Sequence, residues 1–462
     1  MPASWIFLSE ECKLTGDLLT IAEKAVRLAE KMGADQAEAY VAKGMLYEIE
    51  AENNAIKSAS EEFDAGIGIR TVIGKKIGFA YVTTLDESDI REVIENSLNL
   101  ARASIEDPDF VTLPSAVNNY KEAEQIFDKD VDELTSEAAA ELLIRTIDAT
   151  KEKLEGRDYA IESSITSSSN SNAIVNSLGI SKVESRTSIS LYSYPIIKGG
   201  EDQTASYEYQ ISRNLRDIDP EYIGRTAAEL AIGFLGPKII EGGEMPVIFT
   251  PLGASAILGR GLAGAVNAEE VQMGRSYIAD AFGESIASEK LEIFDDGTIP
   301  AGLGTQTFDA EGYRSQRTPI IESGVLKNLL HNSYTSNKDE VENTGNAARP
   351  SYSGLPRIST TNFIVTPGKG TLEDFISEMD RGIVCRNTGD RPNMTTGELS
   401  AMVMEGYYVE NGEIQHPLKN TLIGINMKDL LQRVTQVGSD SRVTFSMITP
   451  SFVIESANIT SG

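Results

Sequence analysis

The chain offers two histidines, His331 and His416, and two cysteines, Cys12 and Cys385, in 462 residues. Histidine is the commonest general base and zinc ligand, so its scarcity narrows the available chemistry. His331 (Leu329-Leu330-His331-Asn332) and His416 (Ile414-Gln415-His416-Pro417) stand far apart, and neither belongs to an H-E-x-x-H pattern. Each reads first as a structural or surface histidine. Cys385, in Gly382-Ile383-Val384-Cys385-Arg386, reads as a buried, inert thiol on a core strand, because one neighbouring Arg does not make a nucleophile. Two cysteines build no disulfide framework. No G-x-S-x-G elbow or P-loop is present. Gly259-Arg260-Gly261-Leu262-Ala263-Gly264 fits G-x-G-x-x-G. Dinucleotide binding needs the first glycine at the strand-to-helix turn. Here Pro251 to Leu258 intervenes, so a small-residue face for close helix packing is the preferred reading.

The most specific polar stretch is Phe308-Asp309-Ala310-Glu311-Gly312-Tyr313-Arg314-Ser315-Gln316-Arg317, beside a predicted hairpin at Pro319–Leu326. Its acids and arginines suit either a cleft loop or an ion-paired turn, and the turn is favoured because charge clusters often satisfy one another. Thr344-Gly345-Asn346-Ala347-Ala348-Arg349 and Gly382–Gly397 carry the same ambiguity. Asp309, Glu311, Arg314, Arg317, Asn346 and Arg349 are therefore candidate cleft or peptide-contact residues. The residues assign neither a catalytic nor a metal-binding role.

Periodicity gives the elements that must position them. Asp17 to Met32 is amphipathic and closes at Gly33; further helices are predicted at Ser88–Ala103 (possible cap Asp86), Ser136–Leu154 and Pro220–Phe234. Gly66–Ile73 and Gly78–Val82 read as a hairpin around Gly74-Lys75-Lys76. Residues 105–133 form an acidic connector. Strands are predicted at Tyr159–Ser167, Asn172–Asn176, Ser181–Tyr194 and Thr204–Ser212, with serine-rich Ser163–Ser171 as strand and turn. Helix followed by strands occurs twice, which hints at duplicated helix-plus-sheet units. Met245–Phe249 is a strand, Ala254–Ala268 a small apolar helical run, and short helices are expected around Leu372–Met379 and Met427–Leu431. The expected class is α+β: an N-terminal α/β domain over residues 1–236 and a β-rich C-terminal domain over 237–462.

The formal net charge is −29, from 41 basic and 70 acidic residues. Both the first 150 residues and the remainder are net negative, so nucleic acid and anionic membranes are poor partners. The start Met1-Pro2-Ala3-Ser4-Trp5 lacks signal-peptide character and no segment is long and apolar enough to span a bilayer, so the cytoplasm is expected.

Several segments together resemble the TldD/PmbA family, also called modulators of DNA gyrase, and its PmbA (TldE) branch in particular. They run the length of the chain: Gly33-Ala34-Asp35-Gln36-Ala37-Glu38, Gly66-Ile67-Gly68-Ile69-Arg70 with Gly78-Phe79-Ala80, Asn176-Ser177-Leu178-Gly179, Pro246-Val247-Ile248-Phe249, Phe308–Gly312, Gly324-Val325-Leu326, Ser333-Tyr334, Thr344-Gly345-Asn346 and Val409–Ile414. The resemblance implies a two-part α+β fold and a dimeric metallopeptidase system. Its TldD-type subunit holds the metal with H-E-x-x-x-H on a helix and a C-terminal Cys. Neutral imidazoles and a thiolate bind the cation, and the Glu deprotonates its water. This chain departs from that pattern: the equivalent helix, about Ala254–Ala268, has no His, and Val437 stands before Gly438 where the TldD type has Cys.

The resemblance thus implies a non-catalytic TldE/PmbA-like subunit acting on unfolded peptides beside a TldD-type partner. Zinc is expected only in that partner, and no cofactor is expected in this chain. Other readings stay open: a homodimer or other homo-oligomeric hydrolase using carboxylates with His331 or His416, or a peptide-binding module.

Overall fold

The computed structural model describes residues 18–200 and 202–462. Asp17 as a helix start, Cys12 and the Met1–Trp5 segment lie outside the described residues. The first helix, Leu18–Lys31, buries Leu18, Ala22, Ala25, Val26 and Ala29 on one face. Seven strands then build one sheet: β1 (Gln36–Glu52), β2 (Ala55–Ile73), β3 (Lys76–Val82), β4 (Asp158–Asn176), β5 (Ser181–Gly199), β6 (Asp202–Ala205) and β7 (Glu208–Ser212). Their order is β3-β2-β1-β4-β5-β6, with β7 also on β5. Antiparallel β1 and β4 are the midline. On each side of it the chain runs helix, strands, helix: Leu18–Lys31, β1–β3 and Glu87–Ala103 on one side, Ser136–Lys153, β4–β7 and Pro220–Gly233 on the other. The expected pairing of helix-plus-sheet units is present as two halves of one sheet.

Side chains alternate across a strand. Ala37, Ala39 and Val41 of β1 join Ile67, Ile69, Ala173 and Val175 under the first helix pair. Ile49, Ile161, Ile165, Ile189 and Leu191 lie under the second. The other face, with Glu38, Tyr40, Arg70 and Asn172, turns toward the C-terminal half.

Three local expectations are corrected. Ser163–Ser171 does not turn; β4 runs unbroken through it. Its small hydroxyls pair sideways onto β5 instead, Ser168 with Ser188 at 2.8 Å and Ser171 with Ser185 at 2.7 Å. Thr204–Ser212 is two strands, not one. Asp86 occupies the cap position of Glu87–Ala103 but makes no side-chain capping bond.

The C-terminal half is β-rich. Arg381–Thr388, Gly243–Phe249, Phe452–Ser461, Thr421–Asn426 and Glu398–Glu410 follow one another, and the last pairs back onto the first, so the strand path closes. Closure removes free edges. A second sheet carries the hairpin Arg317–Glu322 and Val325–Leu326 beside Ile293–Asp296. The hairpin turn uses positive φ at Ser323 and Gly324. The helix Pro251–Ala265 starts directly after Gly243–Phe249 and is capped by Thr250.

Candidate functional site

The polar face of the N-terminal sheet meets the C-terminal half along a buried seam. Two glycines of β2 permit the approach. A Cβ at Gly68 would lie 2.1 Å from the Tyr352 carbonyl oxygen, and one at Gly66 would lie 2.3 Å from the Tyr352 ring. The bare backbone therefore lets the 349–352 segment lie directly on the sheet. Tyr352 then donates its hydroxyl to Asp64 at 2.6 Å.

Four charges meet at this seam. Glu38 and Arg70 are cross-strand partners on β1 and β2. Arg70 donates to Glu38 at 2.6 Å and to Glu311 at 3.1 Å. Arg349 donates to the other Glu38 oxygen, to the Ala310 carbonyl at 3.1 Å and to the Gly354 carbonyl at 3.2 Å. Its guanidinium also lies over the Tyr40 ring, 5.0 Å from the centroid. Glu311 accepts from the Ser333 backbone N–H at 2.9 Å. Burial alone would raise the Glu38 carboxyl; Arg349 and Arg70 outweigh it and hold the group below the usual carboxylate range.

Asp309 stands beside this network. One oxygen accepts from the Glu311 and Tyr313 N–H groups, each at 2.9 Å, and the other from Ala347 N–H at 3.1 Å. Burial, with the nearby Glu311 charge, raises its carboxyl well above the usual range despite those bonds. Asp309, Glu311 and Arg349 are thus brought together, and what they do chemically is hold a loop against a sheet.

The other three candidates lie elsewhere. Asn346 donates to Asp295 at 2.7 Å and to the Ser359 carbonyl at 3.1 Å, in a neighbouring buried loop. Burial pushes the Asp295 carboxyl up to about 7. Arg314 pairs with exposed Glu342 at 2.9 Å. Arg317 stacks over Phe294 at 4.0 Å on an exposed strand position. Sequence reasoning passed over Glu38 and Arg70. The available signal was charge at positions flanked by apolar strand residues, where an unpaired ion would be costly.

Beside the seam lies a cleft of about 660 Å³, bordered by Tyr40, Asn172, Arg186, Arg213, Arg349 and Tyr352 among others. Its size suits a peptide segment or small molecule.

The histidines do not converge there. His331 is buried, its Nδ1 3.2 Å from the Thr335 hydroxyl, and burial lowers its pKa. His416 stacks on Tyr408 with its Nδ1 3.0 Å from the Pro417 carbonyl. Cys385 is fully buried, and burial pushes its thiol up to about 12. The glycines of the helix Pro251–Ala265 are packing devices. A Cβ at Gly253 would lie 2.4 Å from the Cys385 carbonyl oxygen, one at Gly259 2.5 Å from the Met447 sulfur, and one at Gly261 2.6 Å from the Met427 methyl.

Val437 pairs with Phe452, which pairs with Phe249, the residue just before the Thr250 cap of that helix. The position the resemblance gives to a thiolate therefore shares a transverse row with the strand that feeds the helix. Val437 has no donor atom, and the helix PLGASAILGRGLAGA contains no His, Cys, Asp or Glu. Among the described residues no three His, Cys, Asp or Glu side chains are grouped to hold a metal ion. These residues do not fit catalytic zinc.

Three domain models of one family match in sequence order: PmbA/TldA metallopeptidase domain 1 at residues 37–101, the central domain at 129–235 and the C-terminal domain at 242–461. The chain belongs to the TldD/PmbA family. It is 28% identical to the metalloprotease TldD homolog of Buchnera aphidicola (subsp. Acyrthosiphon pisum), over 86% of this chain and 83% of that one. It is also 28% identical to the metalloprotease PmbA of Escherichia coli O157:H7, over 91% and 92% respectively. The crystal structure of TldE from Thermococcus kodakarensis superposes with a TM-score of 0.89 at 25% identity, covering 95% of this chain and 100% of that one. Overall identity thus does not separate the two branches of the TldD/PmbA family. Among the described residues no helix is long and apolar enough to cross a membrane.

Proposed function

We propose that this chain is the TldE/PmbA-type subunit of a two-subunit cytoplasmic metallopeptidase, with the metal held by a TldD-type partner. The observation that carries the reading is local. The helix Pro251–Ala265 and Val437, the positions that the resemblance matches to the catalytic branch's ligands, offer no imidazole, thiolate or carboxylate. A site without imidazole or thiolate cannot hold zinc in that manner. Membership in a metallopeptidase family and the likeness to a TldE structure support the reading.

In this role the chain supplies shape and not chemistry. The Glu38–Arg70–Arg349–Glu311 network holds the C-terminal loops against the N-terminal sheet. The cleft beside it admits an extended, unfolded peptide. Its floor is polar, from Asn170, Asn172, Ser168 and Ser188, which suits main-chain hydrogen bonding without side-chain selection. The acidic balance makes nucleic acid an improbable ligand.

Co-expression with a TldD-type subunit tests this reading. A stable heterodimer by size-exclusion chromatography is the expected result, with peptide cleavage that a chelator abolishes. Two chains that never associate would overturn it.

A further inference from the structure

One wall of the cleft holds a cation that the fold leaves unbalanced. Arg213 is only 6% exposed yet borders the cleft. Its guanidinium donates to three backbone carbonyls: Thr187 at 2.9 Å, Gly302 at 3.3 Å and Leu303. Among the described residues no carboxylate pairs with it. Arg186 borders the same cleft, donates to Asn172 at 3.2 Å and Gln306 at 3.3 Å, and ion-pairs with Glu184 at 3.1 Å. Glu184 also accepts from the Thr307 N–H at 2.7 Å through its other oxygen. Glu184 pairs with Arg186 alone, so two guanidiniums stand here against one paired carboxylate, in a protein of net charge −29.

A buried cation that meets only neutral carbonyls is costly. Each guanidinium has five N–H groups, and these contacts account for neither side chain in full. Burial first, and then the proximity of Arg186, depress the Arg213 pKa to about 10, and an arriving anion would offset the repulsion between the two cations.

We propose that the Arg186–Arg213 end of the cleft binds a carboxylate, from a peptide's C-terminus or from an acidic side chain. The number of charges selects a monoanion. Glu62 and Asp64 border the same cleft and disfavour a phosphate dianion. The proposal rests on the peptide-handling reading only for the source of the carboxylate. An anchored carboxylate would fix where an extended peptide lies along β1 and β4, which a floor of small polar residues alone does not do.

The test is thermal unfolding of the full-length protein at constant ionic strength. The probes are N-acetylglycine, N-acetylglycinamide, N-acetylglutamic acid α-amide and inorganic phosphate, each at about 10 mM. Ligands that bind only the native state raise the midpoint. N-acetylglycine, N-acetylglutamic acid α-amide or both should raise it by about 1–2 °C, and the amide should not. Which of the two acids acts identifies a terminal or a side-chain carboxylate. Arg186→Gln should weaken the response at least tenfold in apparent affinity. The acid–amide comparison needs no variant, so a misfolded substitution cannot mask the result. Equal shifts from acid and amide, no shift from either acid, or a larger shift from phosphate would overturn the proposal. A protein that ignores both acids yet still forms the heterodimer leaves the proposed function intact.

Discussion

Arg349 of the C-terminal half donates to Glu38 of β1, and both side chains are withdrawn from solvent. The two residues are far apart in sequence and belong to different sheets' surroundings, so their pair ties the halves of the molecule together. Removing one partner leaves Glu38 with Arg70 alone, or Arg349 with carbonyls alone, which costs up to about 3–5 kcal/mol. Glu38→Gln and Arg349→Met should each destabilise by that amount in urea unfolding. The double variant should lose less than the sum. Additive losses would show that the pair does not bind the halves together.

The buried acids give stability a pH dependence whose sign can be worked out. Burial raises Asp295 to about 7 in the folded chain. The folded state then keeps a proton that the unfolded chain has lost above about pH 4. Stability should fall as pH rises from about 4 to 7, by up to about 1.4 kcal/mol per pH unit. Asp309, also raised, acts in the same sense. Glu38 is lowered and acts oppositely: its contribution is present above the ordinary carboxylate range and is lost on acidification. Urea unfolding at pH 5, 6 and 7 checks the slope, and Asp295→Asn should flatten it.

Two glycines should respond in opposite ways. Gly68→Ala would drive a methyl group to 2.1 Å from the Tyr352 carbonyl and push the 349–352 segment off the sheet. A loss of about 2 kcal/mol or more is expected. At Gly424 the nearest atom to an added Cβ is 3.5 Å away, ordinary contact, so Gly424→Ala should be neutral or stabilising by about 0.4–1 kcal/mol. Equal effects at both positions would mean that the close approach at Gly68 is not held in solution.

Much of the architecture was legible because it follows from local rules. The first helix declares itself by its alanine and leucine spacing, and the β2–β3 hairpin by Gly74 between β-branched runs. The serine run failed as a turn signal because serine's hydroxyl can be satisfied across strands as well as by its own backbone. The seam was half legible. Asp309, Glu311 and Arg349 drew notice as charges in loops, whereas Glu38 and Arg70 pair through register and were hidden inside strands. Arg186 was passed over for the same reason, and Arg213, in the bend just after β7, gave no sign in sequence of its burial. Arg314 and Arg317 looked equivalent to Arg349 in sequence, but burial separates them, and burial is set by long-range packing that spacing does not encode.

In the proposed role this chain contributes a shaped cleft and leaves metal chemistry to its partner. The most direct measurement is the zinc content of the purified chain, taken with its cleavage of an unfolded peptide in the same preparation, alone and together with a TldD-type subunit. Zinc well below one equivalent and no cleavage by the chain alone are predicted, with both appearing when the partner is added. One zinc per chain accompanied by chelator-sensitive cleavage, with no partner present, would overturn that role.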